Sequence, residues 1–116
     1  MPVSDRLDLT HKQRAVLLSI LSAFADRIDR AAVFGSRALG RARPASDIDL
    51  VLYGPLDDRD VARIWAMLHR SSLAVSVDVI RYEAFGDVPL RRHIDGVART
   101  LFTRDDLQAA RASAAA

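Results

Sequence analysis

Apolar residues recur at Val16, Leu17, Ile20, Leu21, Phe24 and Ile28, the three-and-four spacing of one helix face. Thr10 and Gln13 form a capping box at its start, so the pattern predicts a helix over about residues 10–27. A short apolar run, Ala31 to Phe34, then reads as a strand ending at Gly35, and Ser36 to Gly40 suits one or two helical turns. Pro44 forces its neighbour Arg43 into an extended conformation and closes the loop. Asp47 to Tyr53 reads as a second strand, ended by Gly54-Pro55. Asp57, Asp58 and Asp60 crowd the start of a helix whose apolar stripe is Val61, Ile64, Trp65 and Leu68, with His69 and Arg70 at its far end. That order of charge complements the helix dipole.

Leu73 to Ile80 is the third strand, Pro89 to Ile94 a short helix stopped by Gly96, and Val97 to Phe102 a last strand. Thr103 and Asp106 are placed to cap a tail helix over 103–116 that is expected to fray into the Ala-rich C-terminus. Helices and strands alternate with no internal repeat and no linker. The predicted architecture is therefore one domain over 1–116 with its core at about 10–102, an α/β (α+β) fold in which helices flank a small mixed sheet.

Composition narrows the function classes. With 116 residues, half of them apolar, the chain is long enough for a core of its own. It has no cysteine, which excludes disulfides and thiolate metal sites. No apolar stretch approaches the ~20 residues of a membrane span, and Asp5 and Asp8 ahead of the first helix do not suit a signal peptide; a cytoplasmic location is expected. Sixteen of the seventeen basic residues are Arg and fourteen of the fifteen acids are Asp, yet the net charge is only +2. This skew reads as coding bias, and without a continuous basic face carrying aromatics no nucleic-acid partner is expected.

The residues that suggest chemistry are Gly35-Ser36, then ten residues, then Asp47-Ile48-Asp49, with Asp78 inside the third strand. Side chains at i and i+2 of a strand share a face, so Asp47 and Asp49 project side by side. At ~6 Å and an effective dielectric of ~20 they repel by about 3 kcal/mol. A divalent cation removes that cost, and magnesium suits it, taking few protein carboxylates and completing its shell with water and phosphate. Asp78, flanked by Val77 and Val79, reads as a buried carboxylate that needs a partner or a metal. A glycine at a strand-to-helix turn lets a phosphate approach the backbone, and the Ser36 hydroxyl adds a donor. Arg37, Arg41 and Arg43 are available charges for a triphosphate, Arg37 the foremost. Together these parts equip a site for phosphoryl or nucleotidyl transfer.

The combination G-S, about ten residues, D-x-D and a later acid resembles the polymerase-β-like nucleotidyltransferase superfamily, over about residues 28–102. The short length resembles its minimal nucleotidyltransferases (MNT), which are encoded beside a small helical HEPN partner. The resemblance implies that Asp47, Asp49 and Asp78 are the catalytic and metal-binding residues, with Asp78 available as base for the acceptor hydroxyl. It implies that Gly35 and Ser36 hold the triphosphate and that two magnesium ions and ATP take part; Arg37, read from its position beside them, is the expected further nucleotide ligand. The expected activity is transfer of AMP to a hydroxyl, a tyrosine, of the HEPN toxin, making the chain a type VII-like antitoxin. The catalytic unit fills nearly the whole length, so either another polypeptide largely holds the acceptor or the enzyme is very permissive.

Blander readings stand beside these. Asp47 and Asp49 alone would fit a solvated strand start, and Asp78 a salt-bridged structural acid. Trp65 fits the core stripe, and Tyr53 and Tyr82 fit packing at strand ends. Arg63 and His69 match the loose Arg-x(4–6)-His spacing of HEPN ribonucleases, but those are helical bundles and this chain carries strands. Functionally, the alternative is a non-catalytic antitoxin that neutralises or supports a helical partner by binding it. A third possibility, transfer to a small alcohol, is disfavoured by the missing acceptor domain.

Overall fold

The computed structural model describes residues 7–115 except 85 and 87, so Asp5 lies outside the described residues. The elements run α1 (His11–Ser22), β1 (Arg30–Phe34), β2 (Ile48–Tyr53), α2 (Asp58–His69), β3 (Val77–Arg81), α3 (Val88–Val97), β4 (Arg99–Thr103) and α4 (Arg104–Ala115). Single 3₁₀ turns, Gly35–Arg37 and Tyr82–Ala84, follow β1 and β3. The strands form one sheet in the order β3-β2-β1-β4. β1 is antiparallel to both neighbours, whereas β2 and β3 are parallel and joined through α2. The expected mixed sheet flanked by helices is what the chain forms.

Strand alternation divides the sheet into two unequal faces. Ala31 and Val33 of β1, Ile48, Leu50 and Leu52 of β2, and Val77 and Val79 of β3 join the large core with Leu17 and Leu21 of α1, Ile64 and Leu68 of α2, and Leu107 of α4. On the opposite face Ala32 and Val51 meet Ile94 and Ala98, at and just beyond the end of α3. One helix thus covers part of that face and leaves the end that carries Asp49.

The caps are where the residue types require them. Thr10 accepts from the Gln13 amide at 3.0 Å and Gln13 returns the bond; Asp57 and Asp60 do the same for α2, and Thr103 and Asp106 for α4. Each box satisfies amides that the first helical turn leaves without partners.

Several boundaries differ from the sequence expectation. α1 stops at Ser22 rather than near residue 27, because the amides of Phe24, Ala25 and Arg27 bond three residues back instead of four. Phe24 and Ile28 are buried all the same, so burial keeps the helical spacing where the helix does not. β3 begins at Val77, not Leu73, since only from there does it pair with β2. α3 runs through Gly96 to Val97, which delays β4 to Arg99.

Trp65 is 47% exposed and stacks on His69 at 3.8 Å, so the core stripe of α2 is Ile64 and Leu68, joined by Asp60, which pairs with Arg27 at 3.1 Å. Among the described residues no helix is long and apolar enough to cross a membrane.

Candidate active site

β1 brings the chain to Gly35, whose φ of +72° is a left-handed conformation that costs any residue with a Cβ. Here a second constraint coincides with it. A Cβ built on Gly35 would collide with Oδ2 of Asp49, so the strand end and the carboxylate approach more closely than any other residue would allow. Ser36 follows in the 3₁₀ turn, half-buried, and its hydroxyl has no hydrogen-bond partner among the described residues. It remains a free donor beside the acid.

Asp49 is the centre of the constellation. Its Cα pairs with Phe34, the residue before Gly35, on one side and with Asp78 on the other. In-register neighbours on parallel strands share a face, so Asp49 and Asp78 lie side by side. The Asp49 carboxyl is held above its ordinary range, first by burial, then by the charges of Asp78 and Asp47, and by a hydrogen bond shared with Asp78. Asp49 and Asp78 thus share one end of one sheet face, and Asp47, just ahead of β2, lies near enough for its charge to act on Asp49. None of them takes part in an ion pair among the described residues, so no protein cation relieves their repulsion.

Burial is distributed differently from expectation. Asp78 is exposed, because β3 is an edge strand, and Asp49 is the half-buried member. Asp47 is exposed and lies one residue before β2 begins. Among the described residues no three acids or histidines close into a ready-made metal cage. The open pair with a third acid nearby still fits magnesium, which takes one or two protein carboxylates and draws its other ligands from water and phosphate. Asp49 and Asp78, with Asp47 beside them, are the residues that would hold it.

Arg37 departs from the expectation that it holds a nucleotide. Its side chain is buried, with only 3% of the residue exposed, and its guanidinium donates to the carbonyls of Ser46 at 2.7 Å and Asp8 at 2.6 Å rather than facing the acids. Arg41 and Arg43 stay exposed on the loop. Tyr53 and Tyr82 stack at 4.5 Å and pack beside Ala32 and Val51. Tyr53 stands four residues along β2 from Asp49, about 13 Å away. Arg63 lies over the Phe24 ring while His69 stacks on Trp65, so the HEPN-like spacing assembles no site.

Sequence reasoning missed Asp8, whose carboxylate accepts from the Ala42 amide at 3.1 Å and so braces the loop between Ser36 and Asp47. A contact spanning thirty-four residues leaves no local signal.

The polymerase beta nucleotidyltransferase family matches over residues 17–107, and the chain belongs to that family. Among solved structures the fold is shared with a toxin–antitoxin crystallised with AMP-PNP, at a TM-score of 0.64 and 19% identity over 86% of this chain and 82% of that one. It is shared also with the toxin–antitoxin MntA–HepT, at 0.60 and 17% over 90% and 82%. At these identities the likeness is one of fold. A search of curated proteins gives no match.

Proposed function

We propose that this chain transfers AMP from ATP to a hydroxyl of a partner protein, a tyrosine of a small helical HEPN-type toxin, and so acts as a cytoplasmic antitoxin. The observation that carries this reading is the placement of Asp49 between the Gly35-Ser36 turn and Asp78, with Asp47 adjacent. Family membership supports nucleotidyl transfer in general, and the fold shared with toxin–antitoxin structures, one of them with AMP-PNP, supports the partner and the nucleotide.

In the proposed step, the acceptor oxygen forms a bond to the α-phosphorus as the bond to the β-phosphate oxygen breaks. Pyrophosphate leaves and carries the charge away. Gly35 lets the Asp49 carboxylate lie against the strand end, and Ser36, next in the turn, donates its hydroxyl to a phosphate oxygen. Asp78, exposed at the sheet edge, is placed to take the acceptor proton. Asp47, Asp49 and Asp78 would hold the cations, two of them by the family's pattern. Bound magnesium would supply charge neutralisation for the attacking and leaving oxygens.

The test is incubation with α-labelled ATP, magnesium and a helical partner encoded nearby. The partner should gain label, γ-labelled ATP should leave it unlabelled, and Asp49→Asn should abolish the signal. Labelling that persists through chelation and through Asp49→Asn would refute the proposal. If a folded variant with Asp47, Asp49 and Asp78 all changed to Asn still neutralises the toxin, direct binding rather than transfer is the antitoxin activity.

A further inference from the structure

We infer that Arg37 is a positioning residue, holding Asp47 and the Gly35-Ser36 turn in register through the loop that joins them. The inference rests on the nucleotidyl-transfer reading for what the acids do. Arg37 adjoins the turn in the chain and reaches across to the residue before the first acid. Its Nε and Nη2 both donate to the Ser46 carbonyl, at 3.2 and 2.7 Å. That oxygen belongs to the planar peptide from which Asp47 begins, so fixing it fixes the direction in which Asp47 leaves the loop.

The other donors complete the clamp. Nη2 also meets the Pro44 carbonyl at 3.3 Å and, weakly, that of Arg43 at 3.5 Å. Nη1 meets the Asp8 carbonyl at 2.6 Å and Gln13 Oε1 at 3.4 Å. The Asp8 amide returns a bond to the Arg37 carbonyl at 3.0 Å. One side chain thus ties the loop, the approach to α1 and the phosphate-side turn together.

Every acceptor is neutral. A buried guanidinium with no carboxylate partner is costly, so its place here is explained by geometry rather than charge pairing. Its planar fork supplies five donors in fixed directions. A lysine ammonium would keep the charge and lose the fork, and that difference separates positioning from electrostatics.

The test compares wild type with Arg37→Lys and Arg37→Met, using Mn²⁺ alone as a probe of the acids by electron paramagnetic resonance, with AMP transfer measured separately. Both variants are expected to bind Mn²⁺ roughly 10–100-fold more weakly, the range seen when groups that orient metal ligands are removed. Transfer should fall mainly in kcat, with KM for the acceptor within about twofold. Folded variants whose Mn²⁺ affinity stays within about twofold of wild type overturn the inference, as does full restoration by Arg37→Lys, which would make charge the cause.

If wild type transfers no AMP while the variants still lose Mn²⁺ affinity, the transfer reading fails and the positioning role stands. If neither variant folds, hydrogen exchange on wild type decides. Slow exchange of the Arg37 Nε–H, which donates to the Ser46 carbonyl, supports the clamp, and exchange at the rate of a free guanidinium overturns it.

Discussion

Replacing Asp49 by Asn is expected to stabilise the metal-free protein while abolishing transfer. Asp49 and Asp78 are in-register neighbours on parallel strands, with Cα atoms about 4.8 Å apart. Two unit charges ~5 Å apart repel by roughly 0.8 kcal/mol in water and by about 3 kcal/mol at an effective dielectric of 20. Asp78 is exposed and Asp49 only half-buried, so solvent screening favours the low end, about 1 kcal/mol.

The sign follows from the raised carboxyl. Burial, Asp78 and Asp47 lift Asp49 above its ordinary 3.8, so the folded state binds the proton more tightly than the unfolded chain. Stability therefore falls as pH rises from 3.8 through the folded value, and the full repulsion is present above it. Asparagine cannot ionise, so the gain should appear near pH 7 and vanish below about pH 3.8, where Asp49 is neutral in both states.

Thermal unfolding at pH 7 should show a rise of ~3–5 °C for a domain of this size. Magnesium at about ten times its dissociation constant should stabilise wild type by ~1.4 kcal/mol and the variant by much less. A variant less stable than wild type at pH 7, or equally stabilised at pH 3, would refute the repulsion argument.

Gly35→Ala should cost about 1–2 kcal/mol for the left-handed backbone and eliminate transfer, because the new methyl displaces the Asp49 carboxylate; urea unfolding and α-labelled ATP check the two parts. Asp57→Ala removes the reciprocal cap of α2 and should lower urea-unfolding stability by ~1 kcal/mol, with transfer unchanged at a temperature where the variant is folded. Ile64→Ala, at a fully buried position, should cost about 2–5 kcal/mol. Trp65→Ala, one residue along but 47% exposed, should cost no more than ~1 kcal/mol; equal losses in urea would show that the assigned face of α2 is wrong.

The contrast between Ile64 and Trp65 shows where sequence reading reaches its limit. Both suit an apolar stripe, but a helix presents a wider stripe than its neighbours cover, and only packing decides which edge remains in water. By itself the sequence determined what local physics controls: the capping residues and the strand runs around Gly35 and Asp49. It could not set the end of α1, since Phe24 and Ile28 are buried at helical spacing whether or not the helix continues. Nor could it assign Asp78 its exposure, because a carboxylate between two valines looks buried until its strand is known to be an edge. Arg37 is the furthest case. Its partners, Asp8 and Ser46, lie on either side of it in the chain, and only the folded loop turns an arginine available to a phosphate into one whose donors are spent on backbone carbonyls. Local residue chemistry is written in order along the chain, whereas the register that sets Asp49 between Gly35 and Asp78 exists only once three separate strands have paired.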